Sequence, residues 1–224
     1  MYKKILIANR GEIACRIART LRGMGVAVAT VHSSADAQAL HVQEIGESIL
    51  IGGGPARESY LDVEAVIRAA QAVGADAIHP GFGFLSENPA LARRCSEVDI
   101  AFIGPAPQTL ELFGDKATAK AMAQKLGIPT AGGLLVATND IAQVMEAVRA
   151  LPMPCIVKAV AGGGGKGMRV IRALEQAEDA VASAIREGRS SFGDGRLIVE
   201  RYLNRPRHIE VQILGDGRGG VLHL

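Results

Sequence analysis

The sequence predicts an α/β fold: an open parallel sheet covered by helices on both faces, followed by a second region built around a glycine-rich hairpin. Two observations carry the sheet. Short apolar runs alternate with helical periodicity from Lys4 to Ile103, and the connections between them are short. A third observation carries the hairpin. Cys155 to Ala159 and Met168 to Ile171 are strand-like runs, separated by a loop in which five glycines surround Lys166. Glycine loses more backbone freedom on folding than other residues, about 0.5–1 kcal/mol relative to alanine. Such a cluster calls for a reason, and close backbone approach to an anion supplies one, with Lys158 and Lys166 as counter-charge. A flexible hairpin loop is the plain alternative.

Two familiar phosphate loops are excluded. A Walker A loop has Lys followed by Ser or Thr and opens a helix, whereas Lys166 is followed by Gly167 and a strand. A dinucleotide fingerprint also leads from strand into helix. The strand–loop–strand context instead suggests a flap over the phosphates of a nucleotide.

The elements follow in order. Lys4 to Ala8 is a buried strand, and Asn9-Arg10-Gly11-Glu12 is a polar turn. Ile13, Ala14, Ile17, Ala18 and Leu21 fall at helical spacing, ended by Gly23 and Gly25. Strands follow at Val26 to Val31 and, after a short helical stretch, at Ser48 to Ile51. Asp62 to Val73 is an amphipathic helix with Val63, Val66, Ile67, Ala70 and Val73 inward. Ala75 to His79 is a strand, the loop Pro80 to Pro89 follows, Ala90 to Ser96 is a helix and Ile100 to Ile103 a strand. Ligands of such sheets sit beyond the carboxyl ends of the strands. The Asn9 turn and the loop after His79 are therefore expected to share an edge, with the Asn9–Arg10 pair serving structure or function.

Gly104 to Pro107 reads as a linker. Thr109 to Leu126 is helical, broken near Gly114, with Ala119, Met122, Ala123 and Leu126 as the apolar stripe of its second half. Lys116 opens that half, where a lysine opposes the helix macrodipole and a bound anion would offset it. Asp140 to Leu151 and Leu174 to Arg186 are helices. Leu197 to Val199 is a strand running into Glu200-Arg201-Tyr202-Leu203. Arg207 to Leu214 alternates, with Ile209, Val211 and Ile213 on one face and His208, Glu210 and Gln212 on the other. Asp216-Gly217 marks a hairpin turn. The sequence stops on the returning strand, which predicts a fragment of a longer protein.

The 224 residues suffice for one large or two small domains, and a net charge of +2 implies no nucleic-acid or membrane partner. The absence of tryptophan and the small aromatic content argue against base-stacking platforms. Cys15, Cys95 and Cys155 are isolated and odd in number, which predicts reduced thiols and a cytoplasmic protein. Met1 to Ile5 runs directly into a strand, so no signal peptide is expected, and no apolar run has transmembrane length.

Several segments together resemble the biotin carboxylase component of biotin-dependent, acyl-CoA-type carboxylases. They are Ile7-Ala8-Asn9-Arg10-Gly11-Glu12-Ile13-Ala14, His32 to Asp36, His79 to Asn88, Phe102 to Pro105, Gly114-Asp115-Lys116, Gly162 to Met168 and Pro206 to Gln212. The resemblance implies a Rossmann-like domain over residues 1–108 and an incomplete ATP-grasp domain over 109–224. A mobile lid subdomain would span about 130–203. The implied reaction consumes ATP and bicarbonate and carboxylates biotin on a carrier protein through carboxyphosphate. The implied partners are the biotin carboxyl carrier protein, a carboxyltransferase subunit and a second copy in a homodimer.

Carried over by motif, Lys116 and Lys158 contact ATP phosphates, and Gly164 and Gly165 cover them. Glu200, Arg201 and Leu203 frame the adenine, and His208 reaches the nucleotide. The ligands of magnesium, the bicarbonate-binding arginine and the general base fall beyond Leu224, so no catalytic or metal residue is assigned, and this piece alone is expected to be inactive. Family members commonly carry tyrosine where this chain has Phe82, so a hydroxyl is lost there. A different ATP-grasp ligase, of carbamoyl-phosphate or purine-pathway type, and a non-catalytic nucleotide-binding module are the alternatives. The Asn9 turn and the loop after His79 match the biotin family better.

Overall fold

The structure, a computed structural model, describes residues 1–161 and 165–224, with residues 134–136 described by their backbone. It divides into two compact units, Met1–Glu111 and Leu112–Leu224.

The first unit runs β1 (Lys4–Ile7), α1 (Gly11–Gly23), β2 (Ala27–Ser33), α2 (Leu40–Ile45), β3 (Ser48–Gly52), α3 (Val63–Ala72), β4 (Ala77–His79), α4 (Pro89–Glu97) and β5 (Ala101–Phe102). Its sheet has the order β3-β2-β1-β4-β5, with every pair parallel. A strand buried on both faces reads as a continuous apolar run, and β1 does so. Leu6 meets Val66, Ile67 and Ala70 of α3 and Leu91 and Cys95 of α4 in one core. Ile5 and Ile7 lie in the other, with Ala14, Ala18 and Leu21 of α1 and Ile45 of α2. Each fully buried aliphatic side chain contributes about 1.5–3 kcal/mol. The helix starts are fixed by side chains. Asp62 accepts from the Ala65 amide, and Asn88 accepts from the Ala90 amide ahead of Pro89.

The Asn9 turn and the loop after β4 do share an edge, and Asn9 joins them. Its buried side chain donates to the carbonyls of Pro80 and Phe82, both at 2.8 Å. Gly81 makes that approach possible. Its φ is +68°, and a Cβ there would stand 2.6 Å from Asn9 Nδ2.

The boundary between the units falls within α5 (Pro107–Gly114), and the second unit continues with α6 (Lys116–Lys125), β6 (Gly133–Thr138), α7 (Ile141–Arg149), β7 (Cys155–Ala159), β8 (Met168–Ile171), α8 (Ala177–Phe192), β9 (Leu197–Arg201), β10 (Ile213–Gly215) and β11 (Val221–His223). Strands β6-β9-β7-β8 form an antiparallel sheet, and β10 pairs with β11 apart from it. The period of two sorts the side chains of the larger sheet. Cys155, Val157, Ala159, Leu197 and Val199 pack against Val144 and Val148 of α7 and Val181, Ala184 and Ile185 of α8. Lys158 and Glu200 fall on the opposite face.

Three expectations are corrected. Strand β6 is absent from the sequence-derived order. Its short apolar run follows two glycines and has no alternation, so it resembles a loop until β9 lies beside it. There Gly133 is opposite Glu200, and a Cβ on it would come within 2.4 Å of the Val199 carbonyl oxygen. The expected strand over Arg207 to Leu214 is reduced to its last two residues, Ile213 and Leu214, within β10. Ile209 and Val211 are 73% and 62% exposed. Alternation makes a strand only where a neighbouring ladder satisfies its amides, and among the described residues only β11 does so. The helix expected from Leu174 instead begins as a 3-10 turn, and α8 extends to Phe192, where Gly193 closes it at φ +76°.

Replacing Asn9 with Leu leaves the buried Pro80 and Phe82 carbonyls without their donor. The expected loss is about 1–3 kcal/mol, read as a lower urea midpoint at unchanged slope.

Candidate functional site

The sheet face opposite α7 and α8 carries a charge cluster. Register pairs Ile156 with Glu200 and Lys158 with Ile198, so Lys158 and Glu200 are diagonal neighbours on one face. Lys158 Nζ donates to Glu200 Oε2 at 2.6 Å, and Lys120 Nζ of α6 donates to Glu200 Oε1 at 2.8 Å. The side chains of Lys120 and Glu200 are 8% and 10% exposed, and that of Lys158 is 28% exposed. Two ammonium groups therefore share one carboxylate. Burial alone would raise the Glu200 pKa, but the hydrogen bonds and charges of Lys120 and Lys158 outweigh it and hold it below the usual value.

Lys116 lies one turn before Lys120 on the same helix face. Its Nζ stands 3.4 Å from the carbonyl oxygen of Val160, which follows β7 at the mouth of the hairpin. The expected macrodipole problem is met by Asp115, which caps α6 by accepting from the Thr118 amide at 2.8 Å and pairs with Arg196.

The hairpin requires its glycines in part for packing. Gly165 and Gly167 have φ of +81° and +68°, and a Cβ on Gly167 would stand 2.7 Å from that of Ala159. Gly162, Gly163 and Gly164 lie outside the described residues. At the end of β9, the Arg201 amide donates to the Gly132 carbonyl at 2.7 Å, and the Tyr202 amide donates to the Pro154 carbonyl at 3.1 Å. The Arg201 side chain is exposed, and Leu203 is half exposed. His208 stands in the extended segment with Glu210 as its described partner, at 3.3 Å, and both are exposed.

Of the sequence-derived candidates, Lys116, Lys158 and Glu200 are brought around the end of β7. Gly165 lies in the hairpin and His208 outside the cluster. Sequence reading missed Lys120. The expected stripe of Ala119, Met122, Ala123 and Leu126 is not the buried face of α6, since Leu126 is 66% exposed and Lys120 is the buried residue. The surface that α6 meets carries a carboxylate, so an ammonium is the complementary filling. The one available signal was the spacing of four from Lys116. Arg172, 5.7 Å over the Tyr202 ring, was also missed.

The first unit has its own cleft, of about 430 Å³, lined by residues that include Asn9, Arg10, Asp36, Phe82 and Phe84. Arg10 pairs with Asp36 at 3.0 Å and lies over the stacked rings of Tyr60 and Phe84. Asp36 also accepts from Tyr60 at 2.7 Å and from Ser33 at 2.8 Å. Burial opposes ionisation of Asp36, yet these donors bring its pKa down. Burial and Asp36 push the Tyr60 pKa up to about 12. Asn9 is thus structural, whereas Arg10 faces the cleft. Among the described residues no group of three or more His, Cys, Asp or Glu side chains could hold a metal ion, and no helix is long and apolar enough to cross a membrane.

Glu200 has a lowered pKa, so its contribution to stability is complete above about 4.5, the ordinary carboxyl value, and is lost as pH falls through its folded value. Urea unfolding between pH 7 and pH 3 is expected to show this loss. Glu200→Gln removes that share of the pH dependence and, by leaving the buried Lys120 ammonium without its carboxylate, costs about 3–5 kcal/mol.

Comparison with known proteins agrees with this geometry. Residues 1–110 match the family model for the biotin carboxylase N-terminal domain. Residues 115–224 match that for the carbamoyl-phosphate synthase L chain, ATP binding domain. The chain is 46% identical over 222 residues to the mitochondrial methylcrotonoyl-CoA carboxylase subunit alpha of Oryza sativa subsp. japonica, which covers 99% of this chain and 30% of that protein. The biotin carboxylase of Campylobacter jejuni, solved as a β,γ-ATP complex, superposes with a TM-score of 0.93 at 44% identity. The match covers 100% of this chain and 50% of that one. The biotin carboxylase domain of Hydrogenobacter thermophilus 2-oxoglutarate carboxylase, solved as a dimer with MgADP, ADP and bicarbonate, gives 0.94 at 41% identity, covering 100% and 49%. The chain thus spans between 30% and 50% of the length of the curated relatives it matches. The chain belongs to the biotin carboxylase family, with residues 1–110 in its N-terminal domain and residues 115–224 in an ATP-binding domain.

Proposed function

We propose that this chain supplies the nucleotide-phosphate site of an ATP-dependent biotin carboxylase, the component of an acyl-CoA carboxylase that carboxylates carrier-bound biotin with bicarbonate. The observation that carries this reading is the Lys120–Glu200–Lys158 cluster at the end of β7, with Lys116 reaching the same hairpin mouth. Two ammonium groups over one carboxylate leave a surplus of positive charge, which suits a polyphosphate. The left-handed Gly165 beside them suits backbone amides turned toward an anion. The residues present therefore fit ATP.

In this assignment Lys116 and Lys158 hold the phosphates, with the amides of Gly164 and Gly165 over them. Glu200, Arg201 and Leu203 frame the adenine, and His208 is assigned to the nucleotide as well. Catalysis of phosphoryl transfer is mostly positioning and charge stabilisation, and these residues supply both at the phosphates. Magnesium would neutralise phosphate charge when bound, and none of its ligands is assigned among the described residues.

The proposed domains are a Rossmann-like 1–108 and an ATP-grasp 109–224, with the lid over about 130–203. The proposed partners are the carrier protein, a carboxyltransferase and a second copy. A dimer is named for the Hydrogenobacter relative. The proposed compartment is cytoplasmic, consistent with three free cysteines. Carbamoyl-phosphate ligation is disfavoured by the match of residues 1–110 to the biotin carboxylase N-terminal domain.

ATP with magnesium at about 100 times its dissociation constant is expected to add about 2.7 kcal/mol of stability to the chain in a thermal-shift measurement. No shift at any nucleotide concentration would refute the site. In a carboxylation-competent preparation, Lys158→Ala is expected to lower turnover by orders of magnitude with folding intact, whereas near-normal turnover would remove its role. Amide exchange at Gly165, Lys166 and Gly167 is expected to slow on adding ATP, and unchanged exchange would count against a closing flap.

A further inference from the structure

The cluster contains one residue for which the proposed reaction has no direct use. Lys120 is a nearly fully buried lysine, and burying an ammonium is costly unless a carboxylate compensates it. Glu200 does compensate it, at 2.8 Å, but Glu200 already faces Lys158 at 2.6 Å. With Lys158 alone, the carboxylate and ammonium would close into a neutral pair, and an incoming phosphate would have to compete with Glu200 for Lys158. With Lys120 on the other oxygen, the charge of the carboxylate is divided. Each ammonium is held in place, yet the group as a whole stays attractive to an anion. The two carboxylate oxygens are also assigned one to each lysine, which fixes the rotation of the carboxylate and so the place of Lys158 Nζ.

We propose that Lys120 is a positioning residue of the nucleotide site, acting through Glu200 to set the place and the available charge of the Lys158 ammonium. This rests on the reading of Lys158 as a phosphate contact. Lys120 itself touches no phosphate. Its side chain is 8% exposed against 28% for Lys158, which leaves Lys158 as the cluster's outward-facing cation.

The test is a double-mutant cycle read as ATP affinity, by calorimetric titration of the chain with ATP and magnesium. Lys120→Met is expected to weaken ATP by about tenfold, in the middle of the range for partners in one ion-pair network. In a Lys158→Met background the same substitution is expected to change affinity by less than about twofold. Lys120→Arg, which keeps the charge on the carboxylate, is expected to restore most of the binding. A merely structural lysine would lower the melting temperature and weaken ATP equally in both backgrounds, and that result overturns the proposal. So does unchanged affinity in Lys120→Met. Lys120→Gln, which still donates a hydrogen bond to Glu200 but carries no charge, serves if the Met variant does not fold. It is expected to follow Met rather than Arg, and wild-type affinity in it contradicts the charge-sharing step. Absence of ATP binding to the unmodified chain would instead refute the reading of the site itself, and so separates the two failures.

Discussion

One buried carboxylate shared by two ammonium groups organises the second unit. Glu200 projects from a central strand of a sheet whose other face is largely apolar. Its ionised form survives there because Lys120 and Lys158 each hold one of its oxygens. The three groups come from α6, β7 and β9, elements far apart in sequence, so the cluster exists only when the unit is folded. The same contact that fixes the packing of α6 on the strands also gathers positive charge at the end of β7. Stability and ligand recognition are thus two consequences of one arrangement.

Much of the fold was legible because the physics there is local and periodic. The apolar run of β1, the stripe of α3 and the strand–glycine–strand pattern of the hairpin each follow from neighbouring residues alone. What escaped was set by distant partners. Gly133 marks β6 only because the β9 backbone lies against it. Arg207 to Gln212 has the alternation of a strand but, among the described residues, no strand of its own. Lys120 lies outside the expected apolar stripe, and nothing in α6 itself announces a carboxylate from a strand eighty residues away. Lys158 and Glu200 could be named because their motifs could, and it is the β7–β9 register that makes them neighbours.

The first unit serves a different purpose with the same economy of parts. Its parallel sheet buries β1 on both faces, and Asn9 fastens the loop after β4 by two backbone carbonyls. Arg10 is thereby held over the Tyr60 and Phe84 rings and against Asp36, which leaves Phe82 at the rim, 75% exposed. With Phe82, this rim offers a ring without a hydroxyl. Any recognition there depends on stacking and on the Arg10–Asp36 pair rather than on a phenolic hydrogen bond.

The central claim is that the end of β7 attracts phosphate by its surplus positive charge. The most direct measurement compares calorimetric titrations of ATP and of adenosine into the same chain. Each charge-assisted hydrogen bond is worth about 1.5–3 kcal/mol, so loss of the phosphates is predicted to weaken binding by about a hundredfold or more. Equal affinity for adenosine and ATP would contradict it.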